Sequence, residues 1–255
     1  LGHGMNIVVS QYCFAIYPIV AHLTGANCIT APAKEYGHDL HAMAEAITPD
    51  TRIVFVANPN NPTGTLASHK DIVALINAVP DHTLLVMDEA YFEFLDGPLD
   101  LIPRLLEKPN LLLMRTFSKI YGLAGLRVGY GIGHPEFIAA LEKVRQPFNL
   151  NAMAQAAALA AIDDTAHLEA TRANNANGLQ FFEQALDEMG IETVPSHANF
   201  ILANVGDGGG TFQKLQERGV ITRPMAGYQL PEWIRISIGT PAENERCLNA
   251  LRELR

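Results

Sequence analysis

Apolar residues in the first half of the chain come in short unbroken runs, at positions 6–10, 28–31, 52–57, 84–88 and 110–115, each followed by a stretch of helix or turn character. Ile53-Val54-Phe55-Val56 typifies them, with no polar position in the run. A strand that is apolar on both faces needs cover on both faces, which is the setting of a parallel sheet between helical layers. The alternation therefore predicts β-α-β units and an α/β first half.

After residues 145–149 the period changes. Positions 152–162 and 169–189 read as helices, and Leu179, Phe182, Leu186 and Met189 recur every three or four residues, the spacing of one buried helix face. Strand-like runs at 198–203, 220–223 and 234–238 then mix with helical stretches at 211–218 and 243–252, and the glycines of 206–210 predict a flexible loop. The expected organisation is a large α/β unit with a mostly parallel sheet over residues 1–150 and a smaller α+β unit over 151–255.

Composition narrows the function classes. A net charge of -9 leaves no basic footprint for a nucleic-acid backbone. Cys13, Cys28 and Cys247 include no close pair, so neither a disulfide framework nor a metal knuckle is expected, and a reducing cytoplasm fits best. The most apolar stretches, 83–87 and 153–162, fall short of the roughly 18 residues of a membrane span. Leu1 is not an initiator methionine and leads at once into a strand run without a signal-peptide pattern. A fragment of a longer chain is the expectation.

Ligands of open parallel sheets bind beyond the carboxyl ends of the strands, and chemically capable residues cluster there. Asn58-Pro59-Asn60-Asn61-Pro62-Thr63-Gly64 follows one strand run, and its prolines and glycine force a rigid turn. Asp88 ends the next run, with Tyr91 three residues on; a helix cap and a packed tyrosine would explain these two equally well. Arg115-Thr116-Phe117-Ser118-Lys119 follows a third run, and Arg127 lies eight residues beyond Lys119. Hydroxyls, backbone amides and a guanidinium suit a phosphate, and a lysine beside them is a nucleophile for an aldehyde.

In order and interval these three segments resemble the fold-type-I pyridoxal-phosphate aminotransferases. The resemblance implies a pyridoxal-phosphate-transferase-like large domain, a pyridoxal 5'-phosphate cofactor and a homodimer. It implies that Lys119 carries the cofactor aldehyde and moves the proton of transamination, and that Asp88 keeps the pyridine nitrogen protonated. Asn61 and Tyr91 would bind the phenolic oxygen. Thr116, Ser118 and Arg127 would hold the phosphate, and Tyr12 would stack on the ring. Arg235, in Trp233-Ile234-Arg235-Ile236-Ser237, would clamp the acid group of the substrate.

Within the family the pattern is most similar to the histidinol-phosphate aminotransferases, through Ser10-Gln11-Tyr12, residues 145–151 and Val220-Ile221-Thr222-Arg223-Pro224-Met225. Arg223 would then join Arg235, since paired guanidinium forks suit a phosphate monoester. The implied activity is exchange of an amino group between histidinol phosphate and 2-oxoglutarate or glutamate, in histidine biosynthesis. Family members carry a further segment before the strand at Asn6, with a glycine-containing turn that serves the cofactor phosphate. Three alternatives stay open: an aromatic amino acid aminotransferase, a pyridoxal-phosphate decarboxylase of a phosphorylated amino acid, and an inactive fragment. No metal, membrane or nucleic-acid partner is expected.

Overall fold

The computed structural model describes residues 1–254. The apolar runs form the strands of one sheet. The elements of this half are β1 (Asn6–Ser10), α1 (Ile16–Leu23), β2 (Asn27–Ala31), the hairpin β3 (Ala33–Lys34) and β4 (Gly37–His38), α2 (Leu40–Glu45), β5 (Thr51–Ala57), α3 (His69–Ala78), β6 (Leu84–Asp88), β7 (Leu111–Thr116) and β8 (Gly129–Gly133). The six-stranded sheet runs β2-β1-β5-β6-β7-β8. Every pairing in it is parallel except that of β7 with β8.

Both faces of the sheet are covered, as the apolar runs require. Val8, Val54, Val56, Leu85, Met87, Leu111 and Leu113 bury with Met43 of α2 and Ile72, Leu75 and Ile76 of α3. The alternate residues Ile7 and Val9 bury with Tyr17 and Ala21 of α1 on the other face. β1, β2 and β5 thus point successive side chains into two separate cores. Antiparallel β8 is not foreshadowed by an apolar run, because its glycines carry no side chains to bury. Gly129 faces the Arg115 carbonyl so closely that a Cβ would stand 2.9 Å from it, which suits glycine at that rung.

The second half contains α4 (Pro135–Val144), α5 (Ala152–Ile162), α6 (Thr165–Glu188), β9 (Thr193–Val194), β10 (Phe200–Asn204), α7 (Gly208–Glu217), β11 (Arg223–Pro224), β12 (Trp233–Ser237) and α8 (Pro241–Arg252). Its four-stranded antiparallel sheet runs β11-β12-β10-β9. Phe182 and Leu186 of α6 and Leu248 and Leu251 of α8 bury against Ile201, Ile234 and Ile236.

Two expectations are corrected here. The glycines predicted to form a flexible loop at 206–210 instead open α7 from Gly208 onward. Asp207 caps this helix by accepting from Gly210 N at 2.8 Å, and Gly208 is pressed against the carbonyls of Pro231 and Trp233, where any Cβ would collide. Close approach of backbones is what Gly208 provides, whereas Gly206 before the helix takes the left-handed backbone that favours glycine. The strand run expected at 220–223 is reduced to Arg223–Pro224, since Val220 folds back to donate to Leu215 O at the end of α7.

Candidate active site

Parallel strands end on a common edge, and there Ala57 is in register with Asp88. A cavity of about 740 Å³ opens at this edge. Asn61, Asp88, Tyr91, Thr116, Ser118, Lys119 and Arg127 all line it, so residues up to 66 positions apart in the chain (Asn61 to Arg127) meet in one place. Tyr12 is not brought there. Its ring stacks on Tyr36 at 6.0 Å and packs with Met225 and Trp233 of the second half. Phe14 and Tyr17 line the cavity instead.

Local structure explains each placement. Phe117, Ile120 and Tyr121 bury with Val128 and Ala154, which turns the intervening Ser118 and Lys119 toward the cavity. Ser118 N donates to Thr116 Oγ1 at 3.1 Å. Arg127, with φ 55°, adopts a left-handed backbone; its Nη1 donates to Ala124 O at 2.8 Å and approaches Ser118 Oγ at 3.4 Å. Two hydroxyls and a guanidinium therefore converge at the mouth, a donor set for a phosphate.

Deeper in, Asp88 Oδ2 accepts from the Tyr17 hydroxyl at 2.7 Å and Oδ1 from Ala90 N at 3.2 Å. Burial raises the Asp88 pKa, while the Tyr17 and Ala90 bonds and the Lys119 charge oppose the rise. Burial also lowers the pKa of Lys119, helped by the positive charge of Arg235 and opposed by Asp88. A less basic amine at this position is a better nucleophile near neutral pH. Tyr91 is packed edge-on to Phe200 at 5.5 Å, and burial pushes its hydroxyl up to about 12.

The second half reaches this site through Arg235 on β12. Its Nη1 donates to Asn61 Oδ1 at 2.6 Å, and Asn61 Nδ2 in turn approaches the Tyr91 hydroxyl at 3.4 Å. The guanidinium lies over the Phe200 ring at 4.6 Å, and its Nε is buried with no partner. A buried donor without a protein acceptor leaves one hydrogen bond for a water or ligand oxygen to fill. Arg223 pairs directly across from Arg235 in the sheet. The two line a second cavity, of about 410 Å³, with Thr222 and Ser237; it shares no lining residue with the first. Exposed Arg223 therefore stands next to half-buried Arg235, and of the two it is Arg235 that bonds Asn61.

Comparison with known proteins gives this geometry a family. The family model described as aminotransferase class I and II matches residues 1–251. The chain belongs to that family. Among related aminotransferases, the histidinol-phosphate aminotransferase of Akkermansia muciniphila is 51% identical over 250 residues, spanning 98% of this chain and 69% of the relative. Histidinol-phosphate aminotransferase 2 of Ralstonia nicotianae is 50% identical, over 97% of this chain and 68% of the relative. The crystal structure of histidinol-phosphate aminotransferase from Sinorhizobium meliloti in complex with pyridoxal-5'-phosphate superposes with a TM-score of 0.90 at 30% identity. That match covers 100% of this chain and 72% of the solved one.

Several residues at this aminotransferase site were not singled out by sequence reasoning. Phe14 precedes α1 and Tyr17 lies in its first turn, and no local pattern tells which ring of this stretch faces the sheet edge. Glu89, the residue after Asp88, and Arg115 form a buried ion pair, Oε2 to Nε 2.8 Å. An acid inside an apolar strand end was a usable signal for Glu89, since buried carboxylates are rarely left unpaired. Among the described residues, no helix is long and apolar enough to cross a membrane.

Proposed function

We propose that this chain uses pyridoxal 5'-phosphate to exchange an amino group between histidinol phosphate and 2-oxoglutarate, a step of histidine biosynthesis. The observation that carries the proposal is the single cavity into which Lys119, Asp88, Asn61, Tyr91 and Arg127 converge, with Arg235 hydrogen-bonded to one of its walls. The names of the curated relatives support the choice of substrate.

The donor set fits the cofactor. Thr116, Ser118 and Arg127 would hold its phosphate, Asp88 its ring nitrogen, Asn61 and Tyr91 its phenolic oxygen, and Lys119 its aldehyde carbon. When bound, pyridoxal phosphate supplies an electrophilic aldehyde and an electron-accepting ring. Once the substrate amine has displaced it from the aldehyde carbon, Lys119 Nζ would be the base that takes the proton from the substrate Cα and delivers it to that cofactor carbon. Burial lowers its pKa, which favours the neutral amine relative to an exposed lysine. Asp88, as a carboxylate, would favour a proton on the ring nitrogen. Asn61 links this chemistry to recognition, because one amide touches both Tyr91 and Arg235.

Arg235 and Arg223 recognise the acid group of the substrate. A phosphate monoester carries nearly two charges at neutral pH and uses both guanidinium groups, whereas a carboxylate is satisfied by one. In the same reading, residues 1–150 hold the cofactor and residues 151–255 bring the substrate clamp. The separate sheets of the two halves support that division. A cytoplasmic homodimer completes the proposal.

An absorbance titration tests it. Purified protein is mixed with pyridoxal phosphate, then glutamate, then histidinol phosphate. A cofactor band that is converted by both amino donors, with 2-oxoglutarate released from glutamate, is expected. Conversion by phenylalanine but not by histidinol phosphate would sink the substrate assignment, and carbon dioxide release in place of amino transfer would sink the reaction class.

A further inference from the structure

Tyr17 stands out among the cavity residues because its hydroxyl faces a carboxylate and not open space. We propose that Tyr17 is a positioning residue that keeps Asp88 ionised and correctly turned for a cationic ring N–H, through the hydrogen bond from its hydroxyl to Asp88 Oδ2. The purpose of this contact rests on the cofactor reading above, while the contact itself is geometric.

The bond measures 2.7 Å, the length of a short charge-assisted O–H···O⁻ bond. Its direction is set. The Tyr17 hydroxyl is pushed well above its ordinary pKa, by burial first and then by Asp88, so it remains a donor throughout the working range. Tyr17 is held rigidly: it is 5% exposed, stacks on Phe55 of β5 with centroids 4.5 Å apart and planes at 6°, and meets Phe14 edge-on at 5.7 Å. The hydroxyl is therefore a preorganised donor that pays no reorientation on ligand binding.

Asp88 needs such a donor. It closes an apolar strand, and burial alone favours its neutral form, in which it would no longer attract a protonated ring nitrogen. The groups around it are few. Tyr17 faces it from α1, Ala90 N–H and the Tyr91 hydroxyl from its own segment, and the Lys119 amine from the loop after β7; Tyr17 is itself flanked by Cys13. Among the described residues, only Tyr17 and Ala90 bond the carboxylate directly. Ala90 N–H comes from the backbone, which leaves the Tyr17 hydroxyl as the one side-chain donor. Because it occupies Oδ2 and Ala90 N takes Oδ1, the carboxylate plane is fixed from both ends and a remaining lone pair is left for a third donor.

The test is Tyr17→Phe, which keeps the ring stacked on Phe55 and removes only the hydroxyl. Cofactor-free protein labelled with 13C at aspartate carboxyl carbons is titrated by NMR, the Asp88 signal being assigned by its loss in Asp88→Asn. The Asp88 midpoint is expected to move up in Tyr17→Phe. Pyridoxal phosphate affinity is expected to weaken about tenfold between the two midpoints, the size of one charge-assisted hydrogen bond, with the difference closing at higher pH where Asp88 is ionised in both proteins. An unmoved midpoint overturns the inference. If the midpoint rises but wild-type protein binds no pyridoxal phosphate, the Tyr17 contact stands and the cofactor reading falls.

Discussion

Replacing Arg115 by methionine isolates a buried charge that the proposed active site depends on. Arg115 Nε and Glu89 Oε2 are 2.8 Å apart, with side-chain exposures of 12% and 5%. Glu89 lies between Asp88 and Tyr91 in the chain, and burial raises its pKa while the Arg115 contact opposes the rise. Removing the arginine leaves a carboxylate uncompensated in the interior, at a cost of about 3–5 kcal/mol. The guanidinium also lies 3.6 Å from the centre of the Phe92 ring, worth about 0.5–2 kcal/mol when shielded from water, and methionine retains part of that contact. Against a typical stability of about 5–15 kcal/mol the loss is large. With a urea slope of about 3 kcal/mol/M it lowers the unfolding midpoint by more than roughly 1 M. Glu89→Gln should cost less, because the stranded charge is then Arg115, which borders the cavity and is more open to water. The double variant Arg115→Met with Glu89→Gln should recover most of the loss, since Arg115 Nη2 already lacks a partner and the pair enters the core at a desolvation cost. Urea unfolding of the four cofactor-free proteins provides the cycle. A cost below about 1 kcal/mol for Arg115→Met, or losses that simply add in the double variant, would refute the reasoning.

Three further outcomes are expected. Lys119→Ala should abolish amino exchange with glutamate yet still bind pyridoxal phosphate non-covalently in equilibrium dialysis; turnover near the wild-type rate would remove Lys119 from its role. Asp88→Asn should lower turnover by about 10²–10³-fold, the scale of one preorganised electrostatic contact, and should raise thermal stability at neutral pH. The sign follows from its raised pKa: the folded state holds the Asp88 proton more tightly than the unfolded chain, so the Asp88 contribution is greatest at low pH and is lost as pH rises through the folded value, a loss that asparagine avoids. A melting temperature at pH 7 below that of the wild type contradicts this. Arg223→Ala should reduce kcat/KM for histidinol phosphate more than for phenylalanine, and equal losses would favour an aromatic substrate.

Much of this architecture was written in local patterns. Unbroken apolar runs announced the parallel strands because a strand buried on both faces has no polar face to show, and β1 and β6 begin and end where the runs at 6–10 and 84–88 do. Lys119, Asp88 and Asn61 were legible for a related reason, as each follows a strand end closely enough that the strand fixes where it emerges. The family, too, was readable from these spacings, and the family model spans nearly the whole chain.

Other features had no local signature. The bond between Arg235 and Asn61 joins residues 174 positions apart, and that of Tyr17 with Asp88 spans 71; neither partner constrains the other until the sheet and its covering layer are assembled. Tyr12, Phe14 and Tyr17 lie close together around the start of α1, and which of the three rings faces the strand edge depends on how α1 docks on the sheet, with Tyr17 and Phe55 stacking. The glycines of α7 looked like a loop because a sequence displays their flexibility and hides the carbonyls of Pro231 and Trp233 that crowd Gly208. Sequence by itself determined the strands, their burial and the residues that emerge at their ends, since these follow from short-range periodicity. Only the tertiary structure decided which of those residues touch, because contact between distant positions is set by packing across layers and leaves no periodic trace along the chain.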